Sequence, residues 1–161
     1  MEDLVSINKL NIEARTRAGT LKVVNDLSFT IKKSETLCVV GESGCGKSVT
    51  ALSLMSLLPE GILKVSSGDI LFDNINLAQL SEAKLEGIRG NEISMIFQEP
   101  MTSLNPVFTI GMQISEAIIK HQNKTPEEAR EISLEMLKLV RIPEPDKQLE
   151  QYPHQLSGGM R

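Results

Sequence analysis

Apolar and β-branched residues gather early in the chain in two short pieces, LVSINKLNI (residues 4–12) and VVNDLSFTI (23–31). Between them lies the polar, glycine-containing stretch EARTRAGT (13–20). The pattern predicts two antiparallel strands with a loop between them. TLCVV, Thr36 to Val40, is a continuous apolar run of strand length. Such a run suits a strand covered on both faces of a parallel sheet. Helical spacing follows in KSVTALSLMSLL, Lys47 to Leu58, with apolar side chains at 51, 52, 54, 55 and 58 and a stop at Pro59 and Gly61. GDILFDN, Gly68 to Asn74, alternates Ile70 and Phe72 with polar neighbours and ends in a turn pair, which returns it to the antiparallel class. EISMIF, Glu92 to Phe97, is a second candidate core strand.

Beyond residue 109 the pattern is helical to about residue 141. Ile110, Ile114, Ala117 and Ile118 share one face of a first helix. A second helix starts sharply, with Thr125 as N-cap, Pro126 at the first helical position and Glu128 completing a capping box. Its apolar face is Ala129, Ile132, Met136, Leu137 and Val140. RIPEPDK then breaks it, because closely spaced prolines cannot continue a helix. No internal repeat is present.

Composition narrows the classes. A chain of 161 residues is about one domain long, and 40% hydrophobic with 24% charged residues is globular rather than disordered. The net charge of −4, without a basic run, disfavours nucleic acid as a ligand. Cys38 and Cys45 form no CxxC and have no neighbouring His, so neither a zinc site nor a disulfide framework is indicated, and a reduced, cytosolic setting fits. MEDLVSINKL is unlike a signal peptide, and no apolar run has the length of a membrane span.

The most specific chemistry lies in GESGCGKS, Gly41 to Ser48, which matches GxxxxGK[ST] between a predicted strand and a predicted helix. A polyphosphate needs a ring of backbone N–H donors with no side chains in the way. Gly41, Gly44 and Gly46 permit the wrap, with Glu42, Ser43 and Cys45 lending main-chain donors and Val49 closing the site inside the helix. The helix start adds its positive dipole end. Lys47 suits the β and γ phosphates, and the Ser48 hydroxyl suits Mg²⁺. Cys45 reads as a tolerated small residue rather than a redox switch.

Two further blocks follow in order, MIFQEPMTSLNP (95–106) and YPHQLSGGM (152–160). With GESGCGKS they resemble the nucleotide-binding subunit of ATP-binding cassette (ABC) transporters, in which a P-loop, a Q-loop and an LSGGQ-type signature occur in this sequence. Within that family the wording is similar to the peptide importer branch, the dipeptide, oligopeptide and glutathione uptake systems. The resemblance covers essentially the whole chain. It implies an α/β P-loop NTPase fold, an ABC ATPase core with an antiparallel β subdomain and a parallel sheet with helices, joined by an α-helical subdomain. The implied division is residues 1–98 for the ATP-binding core and 99–161 for the helical part.

Roles come with the resemblance. It assigns Gln98 to the Q-loop, in contact with Mg²⁺ and the attacking water. Ser157, Gly158 and Gly159 match the signature, which in the family closes on ATP held by a second subunit in a head-to-tail dimer. Met160 replaces the signature glutamine, as it does in the peptide branch. The implied cofactors are ATP and Mg²⁺. The implied partners are a second ATPase subunit, membrane-spanning permeases and, indirectly, an extracytoplasmic solute-binding protein, with the chain peripheral at the cytoplasmic face of the inner membrane. His121 and His154 receive no role. Family members usually stack adenine on an aromatic near the position of Ala14, and this chain has no aromatic before Phe29.

The implied function is ATP-driven uptake of peptides or related small solutes. A nucleotide-binding remnant without catalysis that associates with an intact subunit is the alternative, and a soluble P-loop kinase or repair ATPase is disfavoured by MTSLNP and YPHQLSGGM. No apolar tetrad followed by two acids occurs, so the Walker B strand, its general base and the later histidine are expected to be missing. Poor hydrolysis by the chain alone and marginal stability are the corresponding expectations.

Overall fold

The computed structural model describes residues 2–97 and 103–161. Two compact units divide the chain, Met1–Arg89 and Gly90–Arg161. The division expected after residue 98 falls outside the described residues, as does Gln98 itself.

The first unit is built on a four-stranded antiparallel sheet in the order β2-β1-β3-β4, with β1 Asp3–Thr16, β2 Gly19–Lys32, β3 Leu63–Phe72 and β4 Ile75–Asn76. The apolar positions of β1 do not alternate strictly; they fall at 4, 5, 7, 10, 12 and 14. Bulges reconcile them with one face. At the first level Lys9, Asp26 and Gly68 all take positive φ (47°, 51° and 95°) where the registers of the three long strands shift. An extra residue reverses the side-chain parity, so Ile7, Leu10 and Ile12 share a face and are all buried. The ladder groups freed by the bulge find side-chain partners. Lys9 N donates to Ser28 Oγ (2.8 Å), Asp26 N to Asn11 Oδ1 (3.1 Å) and Asn11 Nδ2 to Lys9 O (2.9 Å).

Two expectations change here. The stretch 13–20, read as a loop, is mostly strand, and only Arg17 and Ala18 form the turn between paired Thr16 and Gly19. Its charges are cross-strand partners: Glu13 lies opposite Lys22 on one side and Lys64 on the other. The turn pair after β3 is as expected, with Asp73 and Asn74 at φ 45° and 65°, the left-handed pair that a two-residue hairpin needs.

The segments Thr36–Val40 and Glu92–Phe97, expected as core strands of a parallel sheet, are not strands. Val40 is 86% exposed and Ile96 98%. A parallel strand exists only through its ladder to neighbours; among the described residues Thr36–Val40 belongs to no ladder, and Glu92–Phe97 has only an isolated bridge at Ile93, where Gly90 N donates to Ile93 O (2.8 Å).

Helix α1, Lys47–Leu54, ends earlier than its apolar spacing predicts. Ser56 takes a left-handed conformation (φ 50°), Leu57 N donates to Leu52 O (2.9 Å) and Ser56 N to Ser53 O (3.1 Å). This is a Schellman ending with serine where glycine is usual. Arg89, which follows α2 (Glu82–Ile88), donates to Met55 O (2.7 Å) and Ser56 O (3.0 Å) and pairs with Glu82, so the carbonyls past the end of α1 are satisfied.

The second unit is helical: α3 Ile110–Gln122, α4 Pro126–Leu139 and α5 Pro145–Leu149. Both predicted helices are present, and α5 begins within the proline segment read as a break. Small residues set the packing. A Cβ on Gly111 would lie 2.9 Å from Leu149 O, so α3 lies directly against α5. Buried Ser133 donates to Ala129 O (2.7 Å) and therefore accepts from Ser115 Oγ (3.0 Å), a bond between α4 and α3.

The capping box at Thr125 forms as predicted. The Thr125 N–H donates to Glu128 Oε2 (2.9 Å), and that bond, with the Lys124 ammonium beside it, holds the Glu128 carboxyl below its ordinary value. A lowered folded-state pKa contributes stability above the unfolded-state value, and the contribution is lost as pH falls through the folded-state value. Carbon-detected NMR titration should place the Glu128 midpoint below the ordinary carboxylate value, and an unshifted midpoint would show the box open in solution.

Gly68 makes the most demanding backbone approach, since a Cβ there would meet Lys9 O at 2.4 Å and Leu10 Cα at 2.6 Å. Gly68→Ala should destabilise the first unit by about 2–4 kcal/mol through left-handed strain and overpacking. Urea unfolding followed by circular dichroism measures this, and a cost under ~1 kcal/mol would mean that the bulge relaxes freely.

Candidate functional site

The loop Gly41–Gly46 and the first turn of α1 are placed by one contact. Gly46 is the N-cap of α1 at φ 94°, and it is buried against β2. A Cβ at that position would stand 3.0 Å from Val23 O and 3.3 Å from Val24 Cγ2. Gly44 also has positive φ (82°), but nothing lies within 4 Å of the Cβ it lacks, so its glycine serves conformation alone. Gly44 and Gly46 are both left-handed with Cys45 between them, and the Cys45 N–H donates back to Glu42 O (3.4 Å), which closes the loop as a turn.

No side chain caps α1, and its first turn is free of acids. By helix geometry the earliest N–H groups, from Lys47 onward, have no carbonyl behind them in the helix. Thr50 N and Thr50 Oγ1 both donate to Gly46 O (2.9 and 3.0 Å), and Ser53 Oγ donates to Thr50 O (2.7 Å). With their hydroxyls satisfied internally, Thr50 and Ser53 are buried. The buried side of α1 is therefore narrower and more polar than the leucines at 52, 54 and 58 predict.

Lys47 is turned back over the loop. Its Nζ donates to Gly41 O (2.8 Å), Glu42 O (2.6 Å) and Cys45 Sγ (3.4 Å). The ammonium thus sits among loop carbonyls, a cation placed where the loop's donors and the helix dipole leave positive potential. Ser48, the proposed Mg²⁺ ligand, is exposed at the second helical position. Glu42, Ser43 and Cys45 are exposed around the rim, Val49 is half-buried, and Cys38 and Cys45 are both free thiols. Among the described residues no group of three His, Cys, Asp or Glu side chains could hold a metal ion.

The signature residues lie in the second unit. Ser157, Gly158 and Gly159 are exposed, and Ser157 O accepts from Met160 N (3.1 Å) and Arg161 N (3.2 Å), one helical turn opened at Ser157. Tyr152 and His154 stack at 5.8 Å just before it. Asn105 belongs to a turn: its Oδ1 accepts from Val107 N (3.1 Å), while the Gln113 amide accepts from Asn105 N and donates to Asn105 O (both 2.9 Å). Gln113 was not visible as a structural residue in the sequence, where it reads as one more polar position on α3.

Known proteins place this arrangement. A family model described as ABC transporter matches residues 24–161. The Dipeptide transport ATP-binding protein DppD of Bacillus subtilis (strain 168) is 51% identical over 161 residues, covering 100% of this chain and 48% of its own length. The Oligopeptide transport ATP-binding protein OppD of the same organism is 44% identical, covering 98% of this chain and 44% of its own length. The Glutathione import ATP-binding protein GsiA of Salmonella paratyphi A (strain ATCC 9150 / SARB42) is 48% identical, covering 99% of this chain and 26% of its own. The chain thus spans about half the length of the dipeptide and oligopeptide relatives. Among solved structures, the ATP-binding cassette MJ0796 in a dimeric post-hydrolysis state bound to ADP and Pi superposes with a TM-score of 0.82 at 26% identity. That match covers 97% of this chain and 64% of the other.

Gly46 and Gly44 separate two roles experimentally. Gly46→Ala should unseat the loop from β2 and raise amide hydrogen exchange over residues 44–50. Gly44→Ala should cost only about 1–2 kcal/mol of left-handed strain and leave the α1 amides protected. Equal exchange in the two variants would refute the seating role.

Proposed function

Because this chain belongs to the ABC transporter family, in the branch of peptide and glutathione import ATP-binding proteins, we propose that Gly41–Val49 bind the phosphates of ATP. The observation that carries the proposal is the glycine-seated loop: two left-handed glycines, an uncapped helix start and Lys47, whose Nζ lies over the loop carbonyls, follow one another within a few residues. Backbone N–H groups would receive the phosphate oxygens at little reorganisation cost. Lys47 would exchange a carbonyl contact for phosphate oxygens, a gain because both charges are then partnered. The Ser48 hydroxyl is suited to hold Mg²⁺ together with those oxygens, and Gln98 and water would complete its shell. Bound Mg²⁺ supplies charge neutralisation of the phosphates.

Ser157, Gly158 and Gly159 would meet the ATP of a second subunit. This is supported by their exposure and the opened turn at Ser157, and by the dimeric state of the MJ0796 structure. In the complete transporter the proposed role is coupling ATP binding and hydrolysis to uptake of peptides or related solutes, together with membrane-spanning permeases and a solute-binding protein. No helix among the described residues is long and apolar enough to cross a membrane. For the 161-residue chain by itself we propose nucleotide binding with little turnover, since its sequence contains no apolar run ending in paired acids to polarise the water.

The test is equilibrium binding of Mg·ATP by calorimetry, beside a phosphate-release assay. The parent chain should bind. Lys47→Ala should weaken binding by at least about 100-fold, as expected for losing a charge-assisted phosphate contact. Unchanged affinity in the variant would overturn the site assignment.

A further inference from the structure

Among the described residues the buried polar side chains are Thr50, Ser53 and Ser133, and the first two lie on α1. Thr50 is 7% exposed, and its hydroxyl is spent on a single backbone atom. Thr50 Oγ1 donates to Gly46 O (3.0 Å), the carbonyl that also accepts from Thr50 N (2.9 Å). An α-helix requires only the second of these bonds. The first is an additional donor, buried where water cannot take its place.

Gly46 O and Lys47 N–H belong to one planar trans peptide unit and point in opposite directions. Whatever fixes the carbonyl therefore aims the N–H, the first of the helix donors with no carbonyl behind it. This unit needs fixing, because it follows a glycine at φ 94° and ψ 0°, whose torsions resist rotation least. Two donors from Thr50 grip its oxygen from the helix side. A second bond to the oxygen also polarises the unit, which strengthens its N–H as a donor by on the order of 10–30%.

We propose that Thr50 is a positioning residue for the triphosphate: its hydroxyl holds and polarises the Gly46–Lys47 peptide so that Lys47 N–H meets a phosphate oxygen without reorganising. The inference rests on the phosphate-loop reading above. Thr50 itself touches no nucleotide, and valine, of the same shape and similar helix propensity, keeps its place in α1.

The test is calorimetric titration of the full chain and its variants with Mg·ATP and with inorganic tripolyphosphate. Thr50→Val removes the hydroxyl but leaves Gly46 O bonded to the backbone N–H of residue 50, so no buried group is orphaned. It should weaken both ligands about 3–10-fold, the worth of one hydrogen bond, while the urea midpoint of the ligand-free chain stays at or above that of the parent. Thr50→Ser restores the hydroxyl and should recover the parent affinity to within about twofold. Ser53→Ala removes a buried hydroxyl bonded to Thr50 O (2.7 Å) rather than to Gly46 O, and should also stay within about twofold. In ligand-free NMR spectra the Gly46 carbonyl carbon and the Lys47 amide nitrogen should shift in Thr50→Val and not in Ser53→Ala. The proposal is overturned if Thr50→Val binds both ligands as the parent does, or if Ser53→Ala weakens them equally. Failure of the parent chain to bind either ligand would instead overturn the phosphate-loop reading, and this inference with it.

Discussion

The contact of Gly46 with the backbone of β2 governs the chemistry of the first unit. A helix start and a strand approach within 3.0 Å of the position a side chain would need. At that separation the loop before the helix has no freedom to lie elsewhere, and its N–H groups are aimed by the sheet rather than by their own preferences. Everything proposed for phosphate binding depends on this, since Gly46 fixes where α1 starts and so where Lys47 reaches back over the loop.

The sheet can serve as such a reference because its bulges are lined up across strands. Lys9, Asp26 and Gly68 break three strands at one level, and side chains of Ser28 and Asn11 occupy the vacated ladder positions. The sheet bends as a unit while keeping one apolar face. Without this device the apolar residues at 7, 10 and 12 could not all point inward, since strict alternation would put 7 on the face opposite 10 and 12.

Sequence reading succeeded where local chemistry suffices. The Thr125 capping box, the Asp73–Asn74 hairpin turn and the glycine loop before α1 all depend on a few adjacent residues. It failed where pairing decides. EARTRAGT looked like a loop because its strand character comes from partners on β2 and β3, which no local window contains. Thr36–Val40 and Glu92–Phe97 looked like buried strands from apolar content alone, yet a strand takes shape only from its neighbours. The early end of α1 was hidden because serine rarely supplies a left-handed terminus. Of the candidate site, the glycine loop was visible as a pattern, while the turn of Lys47 back onto Gly41 O and Glu42 O was not.

The pairing of Ser115 with Ser133 bears on the mechanics of the second unit. Apolar contacts between helices tolerate small axial sliding, because one methyl replaces another at similar distance. A bond between two hydroxyls at 3.0 Å does not, and a shift by a single residue, about 1.5 Å along the axis, breaks it. With Gly111 held against Leu149 as well, α3 is indexed to both its neighbours at two separate points. The three helices are thus suited to pass on a push as one stiff body, without dissipating it in slippage between them.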